Sequence, residues 1–341
     1  MPSEVIVLFG GPSDERRVSV ATAQHVLSVL PEAQAWFLSR ELRLFRPGRA
    51  EVEKHEKPFI TEFEPRGQPA AGSLQAALDA VEPRSANFFL GMHGSFGEDG
   101  TVQKMLEERG LFFTASGSRA SADAFDKTAA RRIAAARGVR IAQAALLPQG
   151  DAQGVWDALR SMLVRHGRVV AKPVAGGSSV GLHHIGNAAD AERAAQAIAA
   201  EPQAYLCEEF IAGTELTVGV VEGASGPRAL PPSEVRLEQG RAFDYEGKYL
   251  GKGTIEITPA EVAPEVTRAA QELAITAHRA LGCFGYSRTD LIATPDGPVF
   301  LETNTLPGLT RQSFVPQQLA VEGTSIRDFL VGQLELAHHR S

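Results

Sequence analysis

The hydrophobic residues fall into short runs, separated by glycine turns and by stretches of helical period. Val5-Ile-Val-Leu-Phe9 is a buried-strand pattern. It runs into Gly10-Gly11-Pro12-Ser13, and a helical pattern follows from Asp14. The same unit recurs at Ala86-Asn-Phe-Phe-Leu-Gly-Met-His93. A turn over Gly94–Gly100 comes next, then a helix over Thr101–Arg109 closed by Gly110. Strand, glycine turn and helix, repeated, predict an open α/β sheet with ligands at the carboxyl ends of its strands. The stretch between, from about residue 40 to 72, is rich in proline and charge and reads as loops and edge strands.

A helix is expected over Ala122–Arg137, closed by Gly138. The strand Arg168-Val-Val-Ala-Lys172 then leads through Pro173 into the loop Val174–Gly181. Asn187 caps a helix over Ala188–Ala200, and Ala204–Ile211 reads as a strand. Further on come a strand over Glu215–Val221, a loop rich in glycine and tyrosine over Phe243–Gly253, and a helix over Pro264–Leu281. That helix has proline at its first position and Gly282 after its end. The pattern divides the chain into residues 1–117, 118–209 and 210–341.

The last strand pair carries the densest chemistry. Gly285–Thr294 and Pro298–Asn304 are joined by Pro295-Asp296-Gly297, a hairpin signal. Residues two apart in a strand share a face, so Arg288 and Asp290 point together, as do Glu302 and Asn304. In register, one face holds two carboxylates, an amide oxygen and a guanidinium. Hard oxygens without His or Cys suit Mg²⁺, and the guanidinium suits a phosphate or a developing oxyanion. An ordinary solvated face is the competing reading.

Other candidates are weaker singly. Gly176-Gly-Ser-Ser-Val-Gly181 follows Lys172, so backbone amides, Ser178, Ser179 and the lysine can meet phosphate oxygens; a surface turn is the alternative. Lys127, on the alanine-rich helix beside Asp126, reads by itself as a solvated lysine. Glu208 and Glu209 are consecutive in a strand, so one faces inward, where with Phe210 it can hold an amino-purine; Glu215 is a ribose candidate. His93 sits at a strand end as a ligand contact or a structural histidine. Glu15 is a helix first-turn acid or a grip for a substrate amine, with Ser19 one turn on.

Composition narrows the classes. The chain has 341 residues, 43% hydrophobic and 22% charged, with net charge −7. No basic run indicates nucleic acid, and no apolar run reaches membrane length. The start reads as a strand rather than a secretory signal. Cys207 and Cys283 lie in apolar segments, as expected of buried thiols in a reducing cytoplasm. No zinc motif occurs. The sequence has no GxxxxGK[ST] and no GxGxxG, so neither a P-loop nor a dinucleotide fingerprint is present.

Six strings in order resemble the D-alanine–D-alanine ligases of the ATP-grasp superfamily. They are Leu8-Phe-Gly-Gly-Pro-Ser-Asp-Glu-Arg-Arg-Val-Ser19, His93-Gly-Ser-Phe-Gly-Glu-Asp-Gly-Thr101, Lys172-Pro through Gly-Ser-Ser-Val-Gly181, Asp244-Tyr-Glu-Gly-Lys-Tyr249, Arg288-Thr-Asp290, and Leu301-Glu-Thr-Asn-Thr-Leu-Pro-Gly-Leu-Thr310. The resemblance spans essentially the whole chain. It implies an α/β protein, α+β in its C-terminal part, with the ATP-grasp fold in three domains. The first is an N-terminal substrate-binding domain with a Rossmann-like open sheet. Nucleotide lies between the central and C-terminal domains, and a lid covers about residues 240–256.

The implied reaction joins two D-alanines with ATP, through an acyl phosphate, for peptidoglycan precursors. Lys127, Lys172, Ser178, Ser179, Glu208, Glu209, Phe210, Ile211, Glu215, Lys248 and Leu301 correspond to the ATP site. Asp290, Glu302 and Asn304 correspond to ligands of two Mg²⁺ or Mn²⁺ ions. Glu15, Val18, Ser19 and His93 correspond to contacts of the first substrate, and Ser313 and Phe314 to those of the second. Arg288 and the Gly308 amide correspond to oxyanion donors. Glu15, Ser178 and Tyr249 match a hydrogen-bonded trio that closes the lid. The trio or the intermediate itself takes the amine proton. A cytoplasmic homodimer is implied, with D-alanine and ATP as small-molecule partners.

The chain departs from the family pattern at Val174, Ala175, Phe243, the lid sequence after Tyr249, and Arg311. These bear on lid kinetics and on choice of the second substrate. Tyr249 separates the chain from D-lactate-using relatives, which carry histidine there. A ligase for other D-amino or hydroxy acids, suggested by Arg311, and a non-catalytic nucleotide-binding module are the competing functions.

Overall fold

A computed structural model describes residues 4–177, 180–223, 225–237 and 254–340. The apolar run near the start forms β1 (Glu4–Gly10), parallel to β2 (Gln34–Leu38) on one side and β4 (Ala86–Leu90) on the other. β3 (Leu44–Phe45) edges β2 antiparallel, and β5 (Phe112–Phe113) edges β4 parallel, giving the order β3-β2-β1-β4-β5. α1 (Arg16–Val29) makes the crossover from β1 to β2, burying Val20, Ala23, Val26 and Leu27. Successive parallel strands leave β1 in opposite directions, so a crevice opens at the carboxyl ends of β1 and β4. The irregular stretch contains α2 (Arg49–Glu53) besides its edge strand, and α3 (Leu74–Asp79) follows it. The helix after β4 is α4 (Thr101–Glu107), with Gly110 in the left-handed region.

The helix expected over Ala122–Arg137 is two helices, α5 (Ser118–Phe125) and α6 (Lys127–Ala135). Asp126 is extended at the joint. Its side chain caps α6 by accepting from the amides of Thr128 and Ala129, satisfying donors that a helix start leaves unpaired. Alanine-rich periodicity on both sides hid the break, although aspartate favours a cap over a helix interior.

β6 (Ala144–Leu146), β9 (Tyr205–Glu209), β7 (Val169–Pro173) and β8 (His183–Ile185) form an antiparallel sheet in that order. α7 (Ala152–His166) and α8 (Ala188–Ala200) pack on it through Val155, Leu159, Ala191 and Ile198. The Asn187 side chain caps α8, as its position suggests. The third sheet is β13 (Thr254–Ile257), β12 (Ser233–Leu237), β10 (Thr214–Gly223), β14 (Tyr286–Thr294) and β15 (Gly297–Asn304), with β11 (Gly226–Ala229) paired to β10. α9 (Pro264–Ala280) covers one face, placing Ala270, Ala274 and Ala277 against Leu216, Val218 and Phe300. α5 and α6 contribute Ala124, Ala130 and Ala134 to this same core. α10 (Phe314–Val321) and α11 (Ile326–Ala337) instead extend the core of the first sheet, through Leu319, Phe329 and Leu330. Among the described residues, no helix is long and apolar enough to cross a membrane.

Candidate active site

The β14–β15 hairpin pairs as its sequence pattern requires. Asp290 lies opposite Glu302, and Arg288 opposite Asn304. A bulge follows Asp290, so that Leu291 pairs with Phe300 rather than Leu301. The extra residue changes the parity of β15. Phe300 turns into the core, while Leu301 and Glu302 both line the same cavity. Strict alternation could not place those neighbours together.

Arg288 grips Asp290 through two hydrogen bonds, Nε to Oδ1 at 2.9 Å and Nη2 to Oδ2 at 2.8 Å. The Thr217 hydroxyl donates to Oδ1 from β10. Asn304 buries Nδ2 without a partner among the described residues. Because an amide's oxygen and nitrogen can exchange places, that position can equally present an oxygen. No three His, Cys, Asp or Glu residues cluster among the described residues. Two carboxylates and an amide therefore make a sparse, hard-oxygen set of the kind that Mg²⁺ completes with water and phosphate oxygens.

The positive side comes from the other two layers. The break at Asp126 puts Lys127 at the first position of α6. There its amide bonds the Val174 carbonyl, and its Nζ reaches the Gly176 carbonyl at 2.6 Å and Glu302 Oε2 at 3.4 Å. Lys172, on β7, lies 2.7 Å from Glu208 Oε2, and Arg131 holds Oε1 of the same carboxylate at 2.5 Å. Glu208 is the inward glutamate of the strand, while Glu209 turns to His166 and the Gln143 amide. A buried carboxylate between two cations keeps both ammonium and guanidinium in place at an apolar edge.

A cavity of about 240 Å³ lies between the second and third sheets. Lys127, Lys172, Glu215, Asp290 and Glu302 are its charged lining, with the backbone of Gly176 and Gly177. Val180, Leu182, Phe210, Ile211, Ile292 and Leu301 are its apolar lining. Arg168 stacks on Phe210 at 4.0 Å from the ring centroid, stiffening that ring. Apolar lining together with two lysines and an oxygen-ligand set can accommodate a flat base with an anionic tail and a cation.

Glu15 sits in the crevice of the first sheet. Its carboxylate lies so near Gly94 and Gly177 that a Cβ on either would approach it to 2.7 or 3.2 Å. Glu98 accepts from the Gly94 amide at 2.6 Å, and burial, then the Glu15 carboxylate, push its pKa up to about 8. His93 is buried, with Nε2 2.9 Å from the Thr22 hydroxyl and a second bond to the Leu306 backbone. Burial lowers its pKa to about 4, so the ring is neutral. The Ser19 hydroxyl accepts from the Gly10 amide and donates to the Gly91 carbonyl, tying the ends of β1 and β4. Val18 and Ser19 are both buried, and Ser19 supports the crevice rather than opening into it. Ser178, Ser179, Lys248 and Tyr249 lie outside the described residues, as does most of the expected lid.

A second cavity, of about 70 Å³, flanks the other side of Arg288 and Asp290. Gly308, Ser313 and Phe314 line it, with Phe59, Val235 and Glu256. A Cβ on Gly308 would come within 2.8 Å of Ser313 Oγ and would push on that hydroxyl. Arg311 lies outside this cavity. Sequence reading singled out neither Glu98, Arg131, Glu256 nor Phe59. Glu98 was visible only as part of a motif; Arg131 and Phe59 look like ordinary helix and loop residues until the chain folds.

The family model described as D-ala D-ala ligase N-terminus matches residues 4–116, and that described as D-ala D-ala ligase C-terminus matches residues 157–335. The D-alanine--D-alanine ligase of Leptospira interrogans serovar Lai is 35% identical over 356 residues, covering 99% of each chain. That of Nitrosomonas europaea is 35% identical over 336 residues, covering 98% of this chain and 97% of the other. Among solved structures, VanG D-Ala:D-Ser ligase from Enterococcus faecalis superimposes with TM-score 0.82 at 25% identity, over 99% of this chain and 100% of that one. The D-alanine-D-alanine ligase from Coxiella burnetii gives 0.79 at 24% identity, over 99% and 94%.

Proposed function

The chain belongs to the D-alanine–D-alanine ligase family, an ATP-grasp family, and from that premise we propose how its residues join two D-alanines at the expense of ATP in building peptidoglycan precursors. The single observation that supports the assignment of roles is one cavity lined both by apolar side chains and by Lys127, Lys172, Asp290 and Glu302.

Adenine lies against the apolar lining at Phe210, Ile211 and Leu301, with Glu208 and Glu215 toward its amino group and ribose. Lys127 and Lys172, with Lys248, Ser178 and Ser179, take the phosphates. Asp290, Glu302 and Asn304 hold Mg²⁺ or Mn²⁺, two ions in the full site. Such an ion, when bound, neutralises charge building on the transferred phosphoryl group. Glu15, near the carboxyl ends of β1 and β4, holds the ammonium of the first D-alanine. His93, neutral and bonded on both sides, fixes the crevice beside that amino acid's carboxylate.

The first carboxylate attacks the γ-phosphorus, ADP leaves, and an acyl phosphate forms. The second D-alanine, held by Ser313 and Phe314, brings its amine to the acyl carbon. The amine attacks the acyl carbon, and as the C–N bond forms the carbonyl electrons move onto oxygen beside Arg288 and the Gly308 amide. The amine proton passes to the Tyr249–Ser178–Glu15 trio or to a phosphate oxygen of the intermediate, and phosphate departs as the carbonyl re-forms. Donors fixed before reaction are worth more than mobile water at that oxygen. Holding both substrates in one orientation lowers the barrier by roughly 7–11 kcal/mol. Tyr249, Ser178 and Glu15 close the lid over the acyl phosphate, which water would otherwise hydrolyse. Residues 1–117 carry the first substrate, 118–209 and 210–341 the nucleotide, in a cytoplasmic homodimer.

Purified protein with MgATP and D-alanine should release ADP and phosphate in step with D-alanyl-D-alanine. Phosphate release without dipeptide, or no turnover at all, would refute the reading. Stripping divalent metal with a chelator should stop turnover, and Mg²⁺ or Mn²⁺ should restore it.

A further inference from the structure

The small cavity beside Arg288 shares part of its lining with a neighbouring hollow. Phe59, Thr310 and Gln312 line the cavity, and the same three residues line this outer hollow of about 400 Å³ bordered by α1 and Arg311. They border both spaces. Thr310 is tied down by two bonds to Ser313 Oγ, from its amide at 3.1 Å and its hydroxyl at 2.8 Å. Phe59 is the apolar side chain of the three, and Phe314 and Val235 are the other apolar side chains lining the inner cavity.

The loop carrying Phe59 is held in place. Lys57 takes a left-handed conformation, and its carbonyl accepts from the amides of Ile60 and Thr61 at 2.8 and 3.0 Å. Arg16 clamps Glu62 with Nε and Nη2 at 2.9 and 2.8 Å, and Arg17 bonds the Ile60 carbonyl at 3.2 Å. Both arginines open α1, directly after Glu15. The loop is therefore fixed to the same helix start that grips the first amino acid. A side chain on a pinned loop can set a size limit; one on a loose loop would yield.

We infer that Phe59 determines which amino acid is accepted second, by closing the inner cavity against side chains longer than a methyl or hydroxymethyl group. The inference rests on the inner cavity being the second-substrate site, as proposed above. Arg311, the departure that drew attention in the sequence, borders the outer hollow and leaves the inner wall to Phe59. Removing the ring joins the two spaces and makes room for a branched side chain. Discrimination of this kind is worth roughly 10–200-fold per methylene in an apolar pocket.

The test supplies the full-length enzyme with MgATP, D-alanine and D-valine, and separates D-alanyl-D-valine from D-valyl-D-alanine by fragmentation mass spectrometry. Phe59→Ala should raise the ratio of D-alanyl-D-valine to D-alanyl-D-alanine by roughly tenfold or more. Phe59→Val should raise it less, with the KM for ATP unchanged in both. Ile60→Ala, on the exposed neighbour, should leave the ratio alone. An unchanged ratio in Phe59→Ala overturns the inference, as does an equal rise in Ile60→Ala; should Phe59→Ala fail to fold, an unchanged ratio in Phe59→Val does so. Wild-type enzyme that makes no D-alanyl-D-alanine overturns instead the reading on which the inference rests.

Discussion

Replacing His93 by glutamine should flatten the acid limb of the stability profile. The ring is buried, and burial holds its pKa at about 4, below the ordinary value of 6.5. Above pH 6.5 the histidine is neutral in folded and unfolded chains alike. As pH falls, the unfolded chain takes up the proton first, so stability is lost between about 6.5 and 4. Each unit of displacement is about 1.4 kcal/mol. The full shift is therefore worth about 3 kcal/mol, of which about 2 kcal/mol is gone by pH 5. His93→Gln keeps a side chain able to bond Thr22 and the Leu306 backbone but cannot titrate. Urea unfolding of both proteins at pH 7 and pH 5 isolates the term, because every carboxylate contributes to both and cancels in the difference. The wild type should lose about 2 kcal/mol more than the variant over that interval. Equal losses would show that the buried ring does not hold its neutral form, and the placement between Thr22 and Leu306 would fail with it.

Glu302→Gln should lower phosphate release by several orders of magnitude, since a neutral amide cannot replace one of two carboxylates at the cation; unchanged turnover would refute the metal role. Arg288→Ala should cost roughly 10²–10³-fold or more in kcat, as loss of an oxyanion donor does, with a further effect on the KM for ATP because Asp290 loses its two hydrogen bonds from the guanidinium; unchanged kcat would refute the role. Glu208→Gln leaves Lys172 and Arg131 facing each other across a buried site, and thermal unfolding should report a loss of about 3 kcal/mol with weaker nucleotide binding. Gly10→Ala should destabilise the first sheet by about 1–3 kcal/mol, because Gly10 has φ +89° and a Cβ there would meet the Leu38 carbonyl; wild-type stability in that variant would contradict the strand register.

The sequence by itself determined the strand–turn–helix order of the first sheet, the glutamate pair of β9 and the turn that joins the final strand pair. These are local matters of period, of turn chemistry at Pro295-Asp296-Gly297, and of alternating faces. It determined the family too, because six motifs stood in order. Tertiary structure decided the rest. The break at Asp126 depends on Lys127 meeting the Val174 and Gly176 carbonyls, which lie about fifty positions away in the chain. The bulge that turns both Leu301 and Glu302 to the cavity is set by β14, not by β15 alone. Which glutamate of the pair faces inward was fixed by Arg131 and Lys172 from separate elements. Glu98 and Phe59 gain meaning only where three layers meet, since burial, field and enclosure are properties of what surrounds a residue. Alternation tells which side of its own strand a side chain takes; only packing tells what waits on that side.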